Sequence, residues 1–284
     1  MTDFVTTSQL ETAYEVSGPG DGAAVVAVHG WPDDPHTWDG LLDLLHDGGC
    51  RVYRPYLRGF GPTRFRDAAT RRSGQIAALC RDVGEFIEVL ALQDVILAGH
   101  DSGARAGYAL AATSPGSVAG LVAMSVAYGT TGPTARLAPD QAHAYWYQWY
   151  FSTQLGRRGL AGDRRGVCRY LWRAWSPSWN FTDGEFDQAA AAWENPDWVE
   201  ITVHSYSQRC GAADGDPGLA ELEARPPSIR NASSRPDTTA ARCRESGISC
   251  RARHPGTRPT RSSNSHITAL PEASRPGLRY GPTR

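Results

Sequence analysis

One short stretch, Asp94-Val-Ile-Leu-Ala-Gly-His-Asp-Ser-Gly103, constrains the fold of this chain more than anything else in it. Asp94 to Ala98 is an apolar run of strand length, closed by Gly99. Small residues follow (Gly103, Ala104, Gly107, Ala111, Ala112), so the next helix can lie close against a sheet. Gly99, Asp101 and Gly103 stand as small–x–acid–x–small, the form of a nucleophile elbow. A strand turning directly into a helix leaves no room for side chains beside the apex, and the helix N-terminus supplies amides for an anionic oxygen. The apex is Asp101. Ser102 is the competing nucleophile, but centring the turn on it puts Asp101 at a flank and loses the first small residue.

The rest of the first half repeats the alternation. Ala23 to His29 is a continuous apolar run, as in a strand buried on both faces. Thr37 to Leu45 places Trp38, Leu41, Leu42 and Leu45 at helical spacing, and Arg51 to Tyr56 reads as a short strand. Ile76, Leu79, Cys80, Val83, Ile87 and Leu90 then mark an amphipathic helix. Leu121 to Val126 is the fourth strand. The fold class is α/β, a mostly parallel sheet with helices on both faces. Residues 1–128 form that core. From 129 to 212 the strand pattern stops and seven of the nine tryptophans appear (146, 149, 172, 175, 179, 193, 198). This reads as a helical cap over the site, with an aromatic core of its own.

Residues 213–284 form a return segment and tail. From Pro226 onward there is no Val, Phe, Trp or Met, but nine Ser, eight Pro and eleven Arg against three acids. Such a composition cannot offset its ordering entropy by burial, so disorder is expected there. The chain holds no lysine, as in products of GC-rich genes, and its net charge is −1. That balance gives no reason to expect nucleic acid or an anionic membrane as partner. No apolar run approaches the roughly 20 residues that span a bilayer, and the start has no basic, apolar leader pattern. The six cysteines (50, 80, 168, 210, 243, 250) make no CxxC pair and no zinc spacing. They are read as reduced, and the expected compartment is the cytoplasm.

Four motifs in order carry a resemblance. His29-Gly-Trp-Pro32 follows a buried strand, Arg58-Gly-Phe-Gly61 follows the next, Gly99-His-Asp-Ser-Gly103 is the elbow, and Tyr147-Gln-Trp-Tyr-Phe151 and His204-Ser-Tyr206 sit in the aromatic half. Over residues 10–225 the chain resembles the α/β-hydrolase superfamily, and within it the epoxide hydrolases. The resemblance implies that Asp101 attacks an epoxide carbon to give an alkyl ester. It implies that Tyr147 and Tyr206 donate to the ring oxygen, and that the N–H groups of Trp31 and Ser102 form the oxyanion hole. It also implies a cis peptide at Trp31-Pro32. Substrate and water are the expected partners, the substrate a small apolar epoxide or halide, with no cofactor and no metal; the oligomeric state is left open.

The same resemblance implies an acid and a histidine base on later strands, and neither pattern is found. His254 and His266 are the remaining candidates, but neither follows an apolar strand. The switch in composition resembles a gene read out of frame near residues 225–228. Two other readings stay open. Haloalkane and fluoroacetate dehalogenases share the aspartate elbow, although Ser102 and Gln148 depart from the tryptophan and histidine those enzymes carry there. Alternatively, the basic tail makes this a non-catalytic hydrolase-fold protein that binds through it.

Overall fold

The computed structural model describes residues 1–126 and 137–224. Its sheet has seven strands: β1 (Thr2–Thr6), β2 (Leu10–Ser17), β3 (Ala23–Val28), β4 (Cys50–Pro55), β5 (Arg64–Phe65), β6 (Ile96–His100) and β7 (Gly120–Met124). The order is β1-β2-β4-β3-β6-β7, with β5 beside β2. The strands expected from apolar runs form its parallel part, β4-β3-β6-β7. β1, β2 and β5 join antiparallel and were not expected, because Thr2–Thr6 and Leu10–Ser17 mix polar and apolar residues without a continuous run.

Alternate residues of the central strands divide between the two faces of the sheet. Val26, Val28 and Leu97 pack with Leu79, Val83, Phe86 and Leu110, which belong to α2 (Ile76–Val89) and α3 (Ser102–Thr113). Val25, Ala27, Val52 and Ala98 face the other way, against Trp38, Leu41, Leu42 and Leu45. Burying each such Val or Leu contributes about 1.5–3 kcal/mol. The helix expected over residues 37–45 is two pieces. A 3-10 turn over Pro35–Leu41, capped by the Asp34 side chain, leads into α1 (Leu42–Asp47). Proline at its start and Gly40 within it explain the break.

At the far end β7 is an edge. Among the described residues it pairs with β6 alone, and Gly120-Leu-Val-Ala-Met124 carries no charge and no proline. The expected absence of further strands after residue 225 falls outside the described residues, as does the expected disorder of the tail. Cys50, Cys80, Cys168 and Cys210 are free thiols.

From residue 139 onward the described chain is helical: α4 (Pro139–Ala144), α5 (Trp146–Phe151), α6 (Gln154–Gly162), α7 (Arg164–Trp175), α8 (Asp183–Ala191), α9 (Trp198–Arg209) and α10 (Ala220–Ala224). Thr182 and Glu185 make a capping box that starts α8. Phe151, Leu160, Leu171, Phe186, Trp193 and Trp198 are fully buried. The segment is tied to the loops of the sheet at several points, one line of them running from Ala192 to Asp197. Trp193 Nε1 donates to Pro32 O at 2.5 Å, and Asn195 Nδ2 donates to Gly61 O and Thr63 O at 3.0 and 2.8 Å. Gly61 N–H donates to Ala192 O at 2.8 Å, and Arg72 pairs with Asp197 at 3.0 Å.

Candidate active site

Asp101 sits between β6 and α3 with φ +46° and ψ −110°. Few non-glycine residues occupy that region, and holding one there costs about 1–3 kcal/mol unless its surroundings enforce it. The surroundings are backbone. A Cβ on Gly103 would lie 2.3 Å from Val28 O, and one on Gly30 would lie 2.9 Å from His100 O. The sequence spacing therefore has a steric cause: β3, β6 and the start of α3 touch without side chains between them. Asp101 N–H donates to Met124 O at 3.1 Å, which ties the apex to the end of β7.

The Asp101 carboxylate is held on one side. Its Oδ2 accepts the Trp31 backbone N–H and the Ser102 hydroxyl, both at 3.1 Å. Among the described residues neither bond falls on Oδ1. Trp31, the residue expected to supply an oxyanion donor, here donates its amide N–H to the carboxylate itself, and Ser102 contributes its hydroxyl, a bond the sequence did not suggest. The Trp31-Pro32 peptide is cis, as expected.

Trp31 also supplies a surface that sequence reasoning missed. Its indole stacks on Tyr147 (centroids 6.1 Å apart, planes at 2°) and meets Tyr206 edge-on at 5.4 Å. The two tyrosines touch each other, 5.3 Å and 86° apart, although one belongs to α5 and the other to α9. Trp31 Nε1 donates to Thr202 Oγ1 at 2.9 Å, which fixes the indole to α9. Both tyrosines are buried. Burial pushes the Tyr147 phenol up to about 12, with the nearby Asp101 carboxylate adding to the rise. Tyr206 is held well above the usual tyrosine range by burial, then by Tyr147 and Asp101, while Arg209 and Arg105 pull the other way. Both phenols are therefore protonated donors at neutral pH. Gln148 Nε2 donates to Tyr147 Oη at 3.1 Å, so the proton of that hydroxyl is directed elsewhere.

Neither histidine near the elbow is placed as a base. His29 is fully buried, its Nδ1 2.9 Å from Gly30 O and its Nε2 accepting Leu57 N–H at 3.1 Å. Burial lowers its pKa to about 4. His100 Nδ1 faces Asp33 Oδ2 at 3.6 Å, within ion-pair range but too long for a hydrogen bond. Among the described residues no histidine nitrogen is hydrogen-bonded to Asp101. His204, grouped with Tyr206 in the sequence motif, does other work: its Nδ1 accepts Gly74 N–H at 3.0 Å and its Nε2 lies 3.2 Å from Asp214 O. His254 and His266 lie outside the described residues.

The arginine of the Arg58-Gly-Phe-Gly61 turn is structural. Its guanidinium is buried in a two-pronged pair with Asp82 (2.5 and 2.6 Å) and donates to Ser73 O at 2.9 Å. Among the described residues no group of three or more His, Cys, Asp or Glu could hold a metal ion, and no helix is long and apolar enough to cross a membrane.

Comparison with known proteins agrees with this fold. The family described as alpha/beta hydrolase fold matches residues 23–178. Epoxide hydrolase B of Mycobacterium tuberculosis (strain ATCC 25618 / H37Rv) is 28% identical over 149 residues, 48% of this chain and 41% of that protein. A fluoroacetate dehalogenase of Burkholderia sp is 30% identical over 140 residues, 48% of this chain and 44% of its own. The chain spans about half the length of the curated relatives it matches. A crystal structure titled a "putative epoxide hydrolase", from Klebsiella pneumoniae subsp. pneumoniae MGH 78578, superposes with a TM-score of 0.75 at 34% identity. That match covers 79% of this chain and 75% of the other.

Proposed function

We propose, from the premise that this chain belongs to the alpha/beta hydrolase fold family, that it opens epoxides with Asp101 as nucleophile and Tyr147 and Tyr206 as donors. The observation that carries the reading is the one-sided carboxylate. Trp31 N–H and the Ser102 hydroxyl both engage Oδ2, which leaves Oδ1 to attack. The bond formed joins Oδ1 to an epoxide carbon, and the bond broken is that carbon's bond to the ring oxygen. The ring oxygen leaves as an alkoxide, a poor leaving group unless it receives a proton, and two adjacent protonated phenols supply that need.

The helical segment acts here as the cap, and the substrate is a small, largely apolar organic epoxide. The described thiols are all free, in keeping with a reducing compartment such as the cytoplasm. Cleavage of the ester requires water to lose a proton, and the described residues offer no histidine for that step. The expected course is therefore a single alkylation that stalls. Incubation with styrene oxide and intact-mass spectrometry should show one added substrate mass on the peptide holding Asp101, absent in Asp101→Asn. Sustained conversion to diol would instead identify a base outside the described residues, with His254 and His266 the first to replace. Absence of both adduct and turnover would overturn the catalytic reading.

A second reading has the same carboxylate displacing halide. Its support is the dehalogenase relative at 30% identity. Fluoride release from fluoroacetate in place of epoxide alkylation would decide for it.

A further inference from the structure

Two arginines near Asp101 have no part in the mechanism above. Arg105 follows the nucleophile by one helical turn on α3, and Arg209 is the last residue of α9. Arg209 has the more defined geometry. Tyr206 and Arg209 are three residues apart, on the same face of the helix. The guanidinium carbon of Arg209 lies 5.2 Å from the centre of the Tyr206 ring. Its Nη2 donates to Ser205 Oγ at 3.2 Å, one turn back. Its Nε is buried without a hydrogen-bond partner among the described residues. Arg54, Arg58 and Arg72 each pair with a carboxylate; among the described residues Arg209 pairs with none. Its position at the helix C-terminus suits a cation, because the last carbonyls carry partial negative charge.

We propose that Arg209 is a positioning residue for Tyr206: anchored through Ser205, its guanidinium lies over the phenol ring and holds positive charge against the ring whose hydroxyl meets the epoxide oxygen. The inference rests on the reading of Asp101 and Tyr206 given above. Negative charge starts on Asp101 and ends, once the ester forms, on the former ring oxygen or on the Tyr206 phenolate that has protonated it. The titratable groups whose charge acts on Tyr206 are Tyr147, Asp101, Arg209 and Arg105. Attack neutralises Asp101 and leaves the Arg209 guanidinium beside the ring to balance the new anion. Arg209 reaches that anion only through the ring, at a range where a partly desolvated cation matters.

The test separates this role from simple packing. In the full chain, Tyr206 is replaced by 2,3-difluorotyrosine, nearly the same size and more acidic, and its ionisation is followed by fluorine NMR. Arg209→Gln should raise the midpoint by about one pH unit and slow alkylation by styrene oxide roughly tenfold, with Arg209→Lys recovering most of both. With Tyr206→Phe already present, Arg209→Gln should slow alkylation no further. An unmoved fluorotyrosine midpoint would overturn the proposal, as would equal slowing in the Tyr206→Phe background. If the unmodified chain takes up no epoxide, the reading of the site fails, and the midpoint still decides whether Arg209 acts on Tyr206.

Discussion

The two sides of the candidate site are built on different principles. On the sheet side, Asp101 is positioned by backbone against backbone: Gly103 on Val28 O, Gly30 on His100 O, and an apex amide on Met124 O. On the helical side, Tyr147 and Tyr206 are positioned by side chains against side chains, with the Trp31 indole as common support. Backbone contacts have no slack, since a methyl group has nowhere to go. Aromatic packing is adjustable, because a ring can be trimmed or shifted by tenths of an ångström. The nucleophile should therefore fail by unfolding, and the donors should fail by losing rate.

The sharpest break of that contrast is Gly103→Ala. With the new Cβ 2.3 Å from Val28 O, the expected loss is about 4 kcal/mol or more, seen as a collapsed urea midpoint. A stably folded Gly103→Ala chain would mean the elbow is as adjustable as the aromatic side.

His29 belongs to the rigid side and gives the next largest effect. Its pKa falls from 6.5 in the unfolded chain to about 4 in the fold. Between those values the unfolded state binds the extra proton, so stability falls as pH drops from 6.5 toward 4 and is unaffected by this group above that window. The full drop is about 3 kcal/mol. Urea unfolding at pH 7, 5.5 and 4.5 should show this slope in the native chain and a shallower one in His29→Gln. Parallel slopes would assign the pH dependence to other groups.

On the helical side, Tyr147→Phe and Tyr206→Phe should each slow alkylation by about a hundredfold while leaving Tm nearly unchanged. On the proposed mechanism both phenols serve one oxygen, so the double variant should cost less than the product of the two. A large fall in Tm would turn the tyrosines into packing residues. The smallest effect is expected at the joint between the two sides. Trp31→Phe keeps the backbone donor to Asp101 but loses the bond to Thr202 Oγ1, about 1–2 kcal/mol of stability. The rate should fall only as far as the tyrosines drift.

The same division explains what could be read from the sequence. Gly99, Asp101 and Gly103 act within a few residues of one another, so their spacing reports their geometry directly. The parallel strands were legible for a like reason, since burial on both faces leaves an unbroken apolar run. β2 was not, because it pairs with β1, β4 and β5 and has one face only partly covered. The second role of Trp31 depends on Thr202, 171 positions away. Arg209 stands in no pattern of its own and Gln148 only in one that expected a histidine, so their contacts with the phenols had no sequence signal. His204 was drawn into the Tyr206 motif by proximity in sequence, although its nitrogens face Gly74 and Asp214.

The line of bonds from Trp193 to Asp197 has a consequence for motion. It is joined by two further ties: α9 is also bonded through Thr202 Oγ1 to Trp31 Nε1 and through His204 Nδ1 to Gly74 N–H. The helix that carries Tyr206 is thus held to the sheet side along its length, whereas Tyr147 lies on α5, between the half-exposed rings of Trp146 and Trp149. Native-state hydrogen exchange should grade accordingly, slow at the Gly61 and Trp198 amides and faster at those of α4 and α5. On the proposed mechanism, a substrate would then meet a Tyr206 donor more firmly held than the Tyr147 donor.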